Sequence, residues 1–395
     1  MVRVKKNMLQ CIGAVFNREL RRMFTRPIYL YGTVFILSFS AIFLFTLMNE
    51  GQPQRIPIGY VDLDESYLSR SAYNQINSTQ GVEIVKKYSS YTEARSAMQR
   101  GDIYGFIVIP KETYTKALNG EQPTISCYYT EAFYVPGTFA YRNFLTMTTV
   151  LKSGIRRSLL RAHGISEVAI QAQLQPIVTQ IHGIGNPWIS YAIYLIAMIW
   201  PGILSLCIIV LTVFTIGFEL KQSTSIEWFN LSGKSIVNSL IGKLLPYFII
   251  YIIIGVSFEV LAYKIVGFPL HGPFGAMLLT ISMLTLASFG VGITLIGLFP
   301  VLRDALSAAS LYSILGFSLC GMTFPVESMI GPMQGFAQMF PIRQYYLIGV
   351  KWGILGGGVE NCWINLLGLC LFCFLPFMVL LRLKNAIVYQ NYPKE

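Results

Sequence analysis

Residues Pro27–Met48 contain no Asp, Glu, Lys or Arg, yet residues 49–187 hold 24 of the chain's 49 charged side chains. Beyond Glu167 the next charge is Glu219. A helix needs roughly 20 mainly apolar residues to cross hydrocarbon, so the pattern alternates membrane, water and membrane again. It implies a membrane protein that carries one sizeable water-soluble domain on a single face.

Composition agrees. Only 12% of residues are charged and 54% are hydrophobic, against about 25% charged in a soluble domain. Six stretches reach spanning length: about 28–48, 190–218, 244–266, 274–299, 305–324 and 361–381. The expected fold is a polytopic α-helical membrane protein with six transmembrane helices and an inserted α/β extracytoplasmic domain. Its segments are an N-terminal amphipathic piece (1–27), a first span (28–48), the insert (49–187), a five-helix region (188–381) and a tail (382–395). The first apolar run exceeds the 7–15 residues of a signal h-region and no A-x-A-like site follows, so a retained span is expected.

The net charge of +11 raises the question of nucleic acid. With alternating spans and a cytoplasmic N-terminus, segments 1–27, 219–243, 299–305 and 382–395 hold 14 basic and 5 acidic residues. The insert is only net +2, and 325–360 is balanced. Lys and Arg concentrate on the cytoplasmic side of membranes, so the positive charge reads as topology and argues against nucleic acid. Both termini are then cytoplasmic, at a bacterial inner membrane, and the insert lies outside. Cys127 is the insert's lone cysteine, so its fold does not rely on an internal disulfide; pairing with Cys362 stays open. Cys370 and Cys373, in an apolar helix, read as packing.

Residues 8–24 place Met8, Ile12, Val15, Phe16, Leu20 and Met23 at helical spacing, with Arg18, Arg21 and Arg22 between them. This suits an interfacial helix on anionic lipid or a charged flank orienting the first span, and Pro27 suits the junction. In the insert, Ile56–Val61, Val82–Val85, Ile103–Ile109 and Thr124–Tyr128 read as strands. Ser66–Ile76, Tyr91–Arg100 and Lys111–Leu118 read as helices, with Thr92 as a cap, and 137–180 as one long helix.

Gly233-Lys234-Ser235 matches the end of a phosphate loop, but Trp228 occupies the first glycine position and no strand precedes it. His163, His182 and His271 lack metal-ligand spacing. Asp62, Asp64 and Glu65 read as a turn and helix start with Ser66 rather than a Ca²⁺ loop. No nucleophile constellation is present, so no enzyme, and no cofactor bound by this chain, is expected. Inside the spans, Glu259 is the clearest functional candidate, because intramembrane charge is costly. Lys264 lies too far round the helix to pair with it. Pro201-Gly202 marks a kink in the second span, either lining a pathway or accommodating a long helix.

The loop FELKQSTSIEWFNLSGKSIVNSLIGKLLPY at 218–247 resembles the cytoplasmic loop of type-2 ABC export permeases. In that family a glutamate ends the second span, a Gly-Thr pair and a second Glu follow, and a Gly-Lys-Leu-Leu-Pro-Tyr-like run opens the third. Here these are Glu219, Ser223-Thr224, Glu227-Trp228 and Gly242–Tyr247, with Ser223 where the family has glycine. Pro201-Gly202, the run RDALSAASLYSILGFSLCGMTFPVESM at 303–329, Phe340-Pro341-Ile342 and PIGYVDLDES at 57–66 extend the likeness over almost the whole chain.

The resemblance implies a permease without its own ATPase. It would work with a separate ATP- and Mg-dependent ABC ATPase subunit and with a second permease copy or paralogue. Residues Thr224–Leu231 would form a short coupling helix, with Trp228 and Phe229 as anchors in the ATPase groove and Glu219, Thr224, Glu227 and Lys243 at the coupling site. Anchoring of the two aromatics in the membrane interface is the alternative. Segment 325–350 would re-enter the membrane near the outer exit, making Phe324, Pro325 and Met329 gate candidates beside Pro201 and Glu259. An exporter of amphipathic or lipidic substrate is expected, with an envelope adaptor as a further partner. A membrane-anchored extracytoplasmic receptor is the second reading, and a secondary transporter, for which only Glu259 is available, the third.

Overall fold

A computed structural model describes residues 7–175, 179–389 and 392. The chain divides into two compact units, Glu50–His182 and the remainder.

Helix α1 (Met8–Thr25) ends at an extended Arg26, and Pro27 opens α2 (Pro27–Leu47) at the position where its missing N–H costs nothing. Cys11, Val15, Glu19 and Met23, one turn apart, form the buried stripe of α1.

The inserted unit is a four-stranded mixed sheet with helices. Strand β1 (Ile56–Asp62) pairs in parallel with β2 (Val82–Tyr88) and β3 (Gly105–Ile109), and β4 (Ser126–Tyr129) runs antiparallel to β3. The order β2-β1-β3-β4 puts the almost continuously buried β1 and β3 in the middle, as expected for strands covered on both faces. The helices are α3 (Tyr67–Asn77), α4 (Tyr91–Arg100), α5 (Thr113–Leu118), α6 (Tyr134–Ala162) and α7 (Glu167–Leu174). Asp62 Oδ1 accepts from the Asp64 and Glu65 amides at 3.1 and 2.9 Å, and the Ser66 hydroxyl caps α3. Ser90, not Thr92, caps α4, accepting from the Glu93 amide. The stretch expected as one helix over 137–180 breaks at Gly164, whose φ is +74°; its residues 176–178 lie outside those described.

The membrane unit continues with α8 (Ala192–Lys221), α9 (Ser225–Leu231), α10 (Ile236–Ile265), α11 (Phe274–Leu298), α12 (Leu302–Ser318), α13 (Gly331–Ala337), α14 (Pro341–Ile348) and α15 (Trp363–Tyr389). Five helices among the described residues are long and apolar enough to cross a membrane: α2, α8, α10, α11 and α15. The sixth expected span, 305–324, overlaps α12, which has 17 residues. That rises about 25 Å, short of the roughly 30 Å hydrocarbon core, before the chain turns through Gly321 at φ +97°.

Helices α8 and α11 form the centre, with 72% and 67% of their most apolar stretches buried, whereas α2 has 22% and presents apolar surface outward. Small and hydroxylated residues seam the centre, as membrane helix pairs require. Ser205 and Ser288 hydroxyls meet at 2.7 Å, and a Cβ on Gly292 would sit 2.7 Å from Thr212. The helix expected to end at 381 turns through a 3-10 segment around Pro376 and continues to Tyr389, burying Leu383 and Ile387. No disulfide joins the cysteines among the described residues.

Candidate functional site

The site grows from a close helix crossing. A Cβ on Gly242 of α10 would lie 2.8 Å from the Ile12 carbonyl oxygen and 2.8 Å from Val15 Cβ, so only glycine admits α1 here. The next residue, Lys243, then faces Glu19 on the buried stripe of α1, with Nζ to Oε2 at 2.8 Å. One turn on, Tyr247 Oη donates to Glu19 Oε1 at 3.0 Å. The last turn of α8 adds Glu219, whose Oε1 lies 3.1 Å from Lys243 Nζ. Arg18 grips Glu219 with both terminal nitrogens, at 2.6 and 3.1 Å, and Arg22 pairs with the same carboxylate.

The turn into α9 completes the cluster. Ser223 takes φ +54°, the left-handed region that glycine enters without strain, which gives the family's glycine at this position a physical reason. Thr224 follows, and its hydroxyl donates to Glu219 Oε2. Lys243 Nζ also lies over the Trp228 ring at 5.1 Å, and Trp228 Nε1 donates to the Ser239 carbonyl at 3.0 Å. Every carboxylate oxygen in the cluster therefore has a donor. Removing one partner of such a buried network costs about 3–5 kcal/mol, because the survivor is left charged and unpaired.

Glu219, Thr224, Trp228 and Lys243 are thus brought together, but the roles expected of several differ. Trp228 and Phe229 are buried in this chain's own core, so they are not anchors for a partner's groove or for the membrane interface. Their place is fixed by α10, which begins at Ile236, well before the expected 244, and offers α9 a packed surface. Glu219 is likewise enclosed, not displayed. The exposed face of α9 consists of Ile226, Glu227, Asn230 and Leu231. The hydroxyl of Ser225 donates to the Ile387 carbonyl at 3.1 Å, tying α9 to the end of α15. Gly233 and Lys234, both with positive φ, form the turn into α10, which Ser235 caps.

Sequence reading missed Glu19, Arg18 and Arg22 as members. The available signal was Glu19's position four residues from both Val15 and Met23, on the apolar stripe of a helix. The arginines expected to face headgroups instead turn two of their number inward to Glu219. Arg18, Arg21, Arg22 and Arg26 line a cleft of about 560 Å³ with Thr224, and Arg26 lies over the Phe218 ring at 4.9 Å.

The pathway candidates lie apart from this cluster. Pro201 is buried within α8, and a Cβ on its neighbour Gly202 would meet the Phe317 ring at 2.7 Å, so Gly202 is a close contact with α12. Trp200 stacks on Phe258 at 3.9 Å, which sets the Pro201 region beside Glu259. Glu259 is fully buried and accepts from Tyr345 at 3.0 Å. Phe324 and Pro325 are exposed and Met329 is half-buried. Arg343, also unforeseen, holds this turn: it is buried and donates to the Cys320 carbonyl at 3.1 Å.

Among the described residues no group of three or more His, Cys, Asp or Glu could hold a metal. No curated protein matches the chain in sequence. A family model described as ABC-2 family transporter protein matches residues 27–382. With nearly the whole apolar framework and the ion-bound α8–α9–α10 corner inside that match, the chain belongs to the ABC-2 transporter family, as a multi-pass transport permease whose kind works with an ABC ATPase subunit.

Proposed function

We propose that this chain is the membrane subunit of an ATP-driven exporter, and that α9 is the element through which a separate ATPase moves it. The observation that carries the reading is the buried cluster of Glu19, Glu219 and Lys243 with Arg18, Arg22 and Thr224. It welds α1, the end of α8, α9 and the start of α10 into one block. A partner pushing on α9 would then displace two long helices together, as rigid-body switching requires.

The contact surface is the exposed Ile226, Glu227, Asn230 and Leu231 face, beside the arginine cleft. In this reading that corner is cytoplasmic at a bacterial inner membrane, the 49–187 insert is extracytoplasmic, and α12 together with the turn to Gly321 completes a sixth crossing. Segment 325–350 re-enters the membrane near the exit. The working unit contains two ATPases and two permeases, alike or paralogous, bathed in membrane lipid and served by an envelope adaptor. ATP and Mg stay with the ATPase. The substrate is amphipathic or lipidic and leaves the cytoplasm or inner leaflet.

A second reading, an extracytoplasmic receptor, draws on a groove of about 560 Å³ in the insert, lined by Tyr67, Leu68, Tyr114 and Leu151 among others. Co-purification separates the two. Tagged protein solubilised from its own host cells is expected to retain an ABC ATPase subunit. The Ile226→Asp/Glu227→Lys double variant is expected to lose it while remaining monodisperse. Full recovery with the double variant would overturn α9 as the contact, and no recovery with wild type would overturn the exporter reading.

A further inference from the structure

Glu259 lacks what the other buried carboxylates have. Its Oε2 has no hydrogen-bond partner among the described residues, and Tyr345 supplies its one donor. Lys264, the basic residue nearest in sequence, instead lies over the Phe274 ring at 5.0 Å. An ionisable side chain at membrane depth without a cation marks a pathway or a ligand by default.

The same Tyr345 lines a cavity of about 110 Å³. Tyr263, one turn beyond Glu259 on α10, lines it too, with Tyr194 and Tyr346. Four tyrosines therefore line one small space, and the buried carboxyl group of Glu259, itself outside the lining, is hydrogen-bonded to one of them. Ring faces attract a cation within about 6 Å, and most strongly where water is excluded. An arriving cation favours the ionised form of Glu259, whose attraction low dielectric leaves unscreened. An anion would be repelled, and a neutral head would gain nothing from Glu259. At about 110 Å³ the cavity is smaller than the roughly 150 Å³ that holds a benzene ring, so it has room for at most a small ammonium head and excludes a whole amphiphile.

We propose that this cavity binds the head of an organic ammonium compound, with Glu259 supplying the counter-charge through Tyr345 and the tyrosine rings supplying the walls. The inference rests on the transport reading above and gives its substrate a charge. It makes the exported amphiphile cationic.

Binding is measured on the full chain in lipid nanodiscs, without ATPase, using radiolabelled trimethylphenylammonium. Saturable binding is expected, displaced by tetramethylammonium and not by benzenesulfonate. Glu259→Gln, which keeps shape and removes charge, is expected to weaken binding on the order of tenfold. Tyr346→Leu, at the half-exposed edge, is expected to weaken it several-fold. No saturable binding, equal affinity in Glu259→Gln, or equal displacement by benzenesulfonate would each overturn the proposal. An ATPase that co-purifies and drives export while wild type binds no ammonium would sink this site alone. Ammonium binding that persists where no ATPase partner is recovered would support the site and sink only the exporter reading.

Discussion

Glu19 and Glu219 share Lys243 and are further held by Arg18, Arg22, Thr224 and Tyr247, whereas Glu259, on the same helix as Lys243, has a single phenol. Both sites are buried, so burial alone does not separate them; saturation does. A network in which every acceptor is filled has one low-energy arrangement and behaves as a joint. A carboxylate with a lone pair left over is held in place by its surroundings at a standing cost. Such a group earns its place through something that arrives. The two predict opposite responses to the loss of charge.

The largest response is expected from Lys243→Met, which leaves Glu19 with only the Tyr247 hydroxyl, beside the charged Glu219. Loss of one partner from a buried network costs about 3–5 kcal/mol, on the order of 10 °C in melting midpoint for a protein of this size. Thermal unfolding in detergent, followed by the loss of the monodisperse gel-filtration peak, measures it. Lys243→Arg should recover part of the loss. A midpoint unchanged in Lys243→Met would show that the cluster is not a joint.

Much of this was legible before the structure. Lys243 and Glu219 stand inside the loop that carries the family resemblance, and the four strands of the insert begin within two residues of where β-branched runs begin. Glu19 was not legible, because one acid among seven basic residues reads as a charged flank. Its partner is 224 positions away, a distance that only the Gly242 crossing closes. Trp228 and Phe229 were misread for a related reason. An aromatic pair on a short helix fits a partner's groove or its own core equally well, and the early start of α10 decides between them. The end of α12 turned on Gly321, which reads as an ordinary glycine in an apolar run until its φ is seen.

Gly242→Leu tests the crossing without touching a charge. The new side chain would press on Ile12 and Val15, and overpacking costs typically 1–3 kcal/mol, so a fall of several degrees is expected. Hydrogen exchange should rise in α1 first, since α1 is the element displaced. Uniform protection across α1 would mean that the cluster holds it without the close approach. Glu259→Gln should behave in the other direction. Replacing an acid that has no cation while keeping the Tyr345 contact leaves the midpoint unchanged or slightly raised. A fall comparable to that of Lys243→Met would erase the contrast and reassign Glu259 as structural.

The smallest effect is expected where a similar carboxylate sits in water. Glu93 on α4 accepts from the Ser89 amide and hydroxyl at 3.0 and 2.8 Å, and from Lys86 at 3.1 Å. These donors, the Ser89 amide first, hold its carboxyl down at about 2. A depressed carboxylate stabilises the fold above its unfolded value and loses that contribution as pH falls toward 2. Because Glu93 is solvent-exposed, screening keeps the contribution small. Glu93→Gln should therefore speed exchange of the Ser89 and Glu93 amides modestly at neutral pH, and the difference from wild type should close between about pH 4.5 and 2. A gap that persists at pH 2 would assign the effect to shape instead of charge. A loss as large as that of Lys243→Met would show that exposure, contrary to the comparison of the two buried sites, does not decide what an ion pair is worth here.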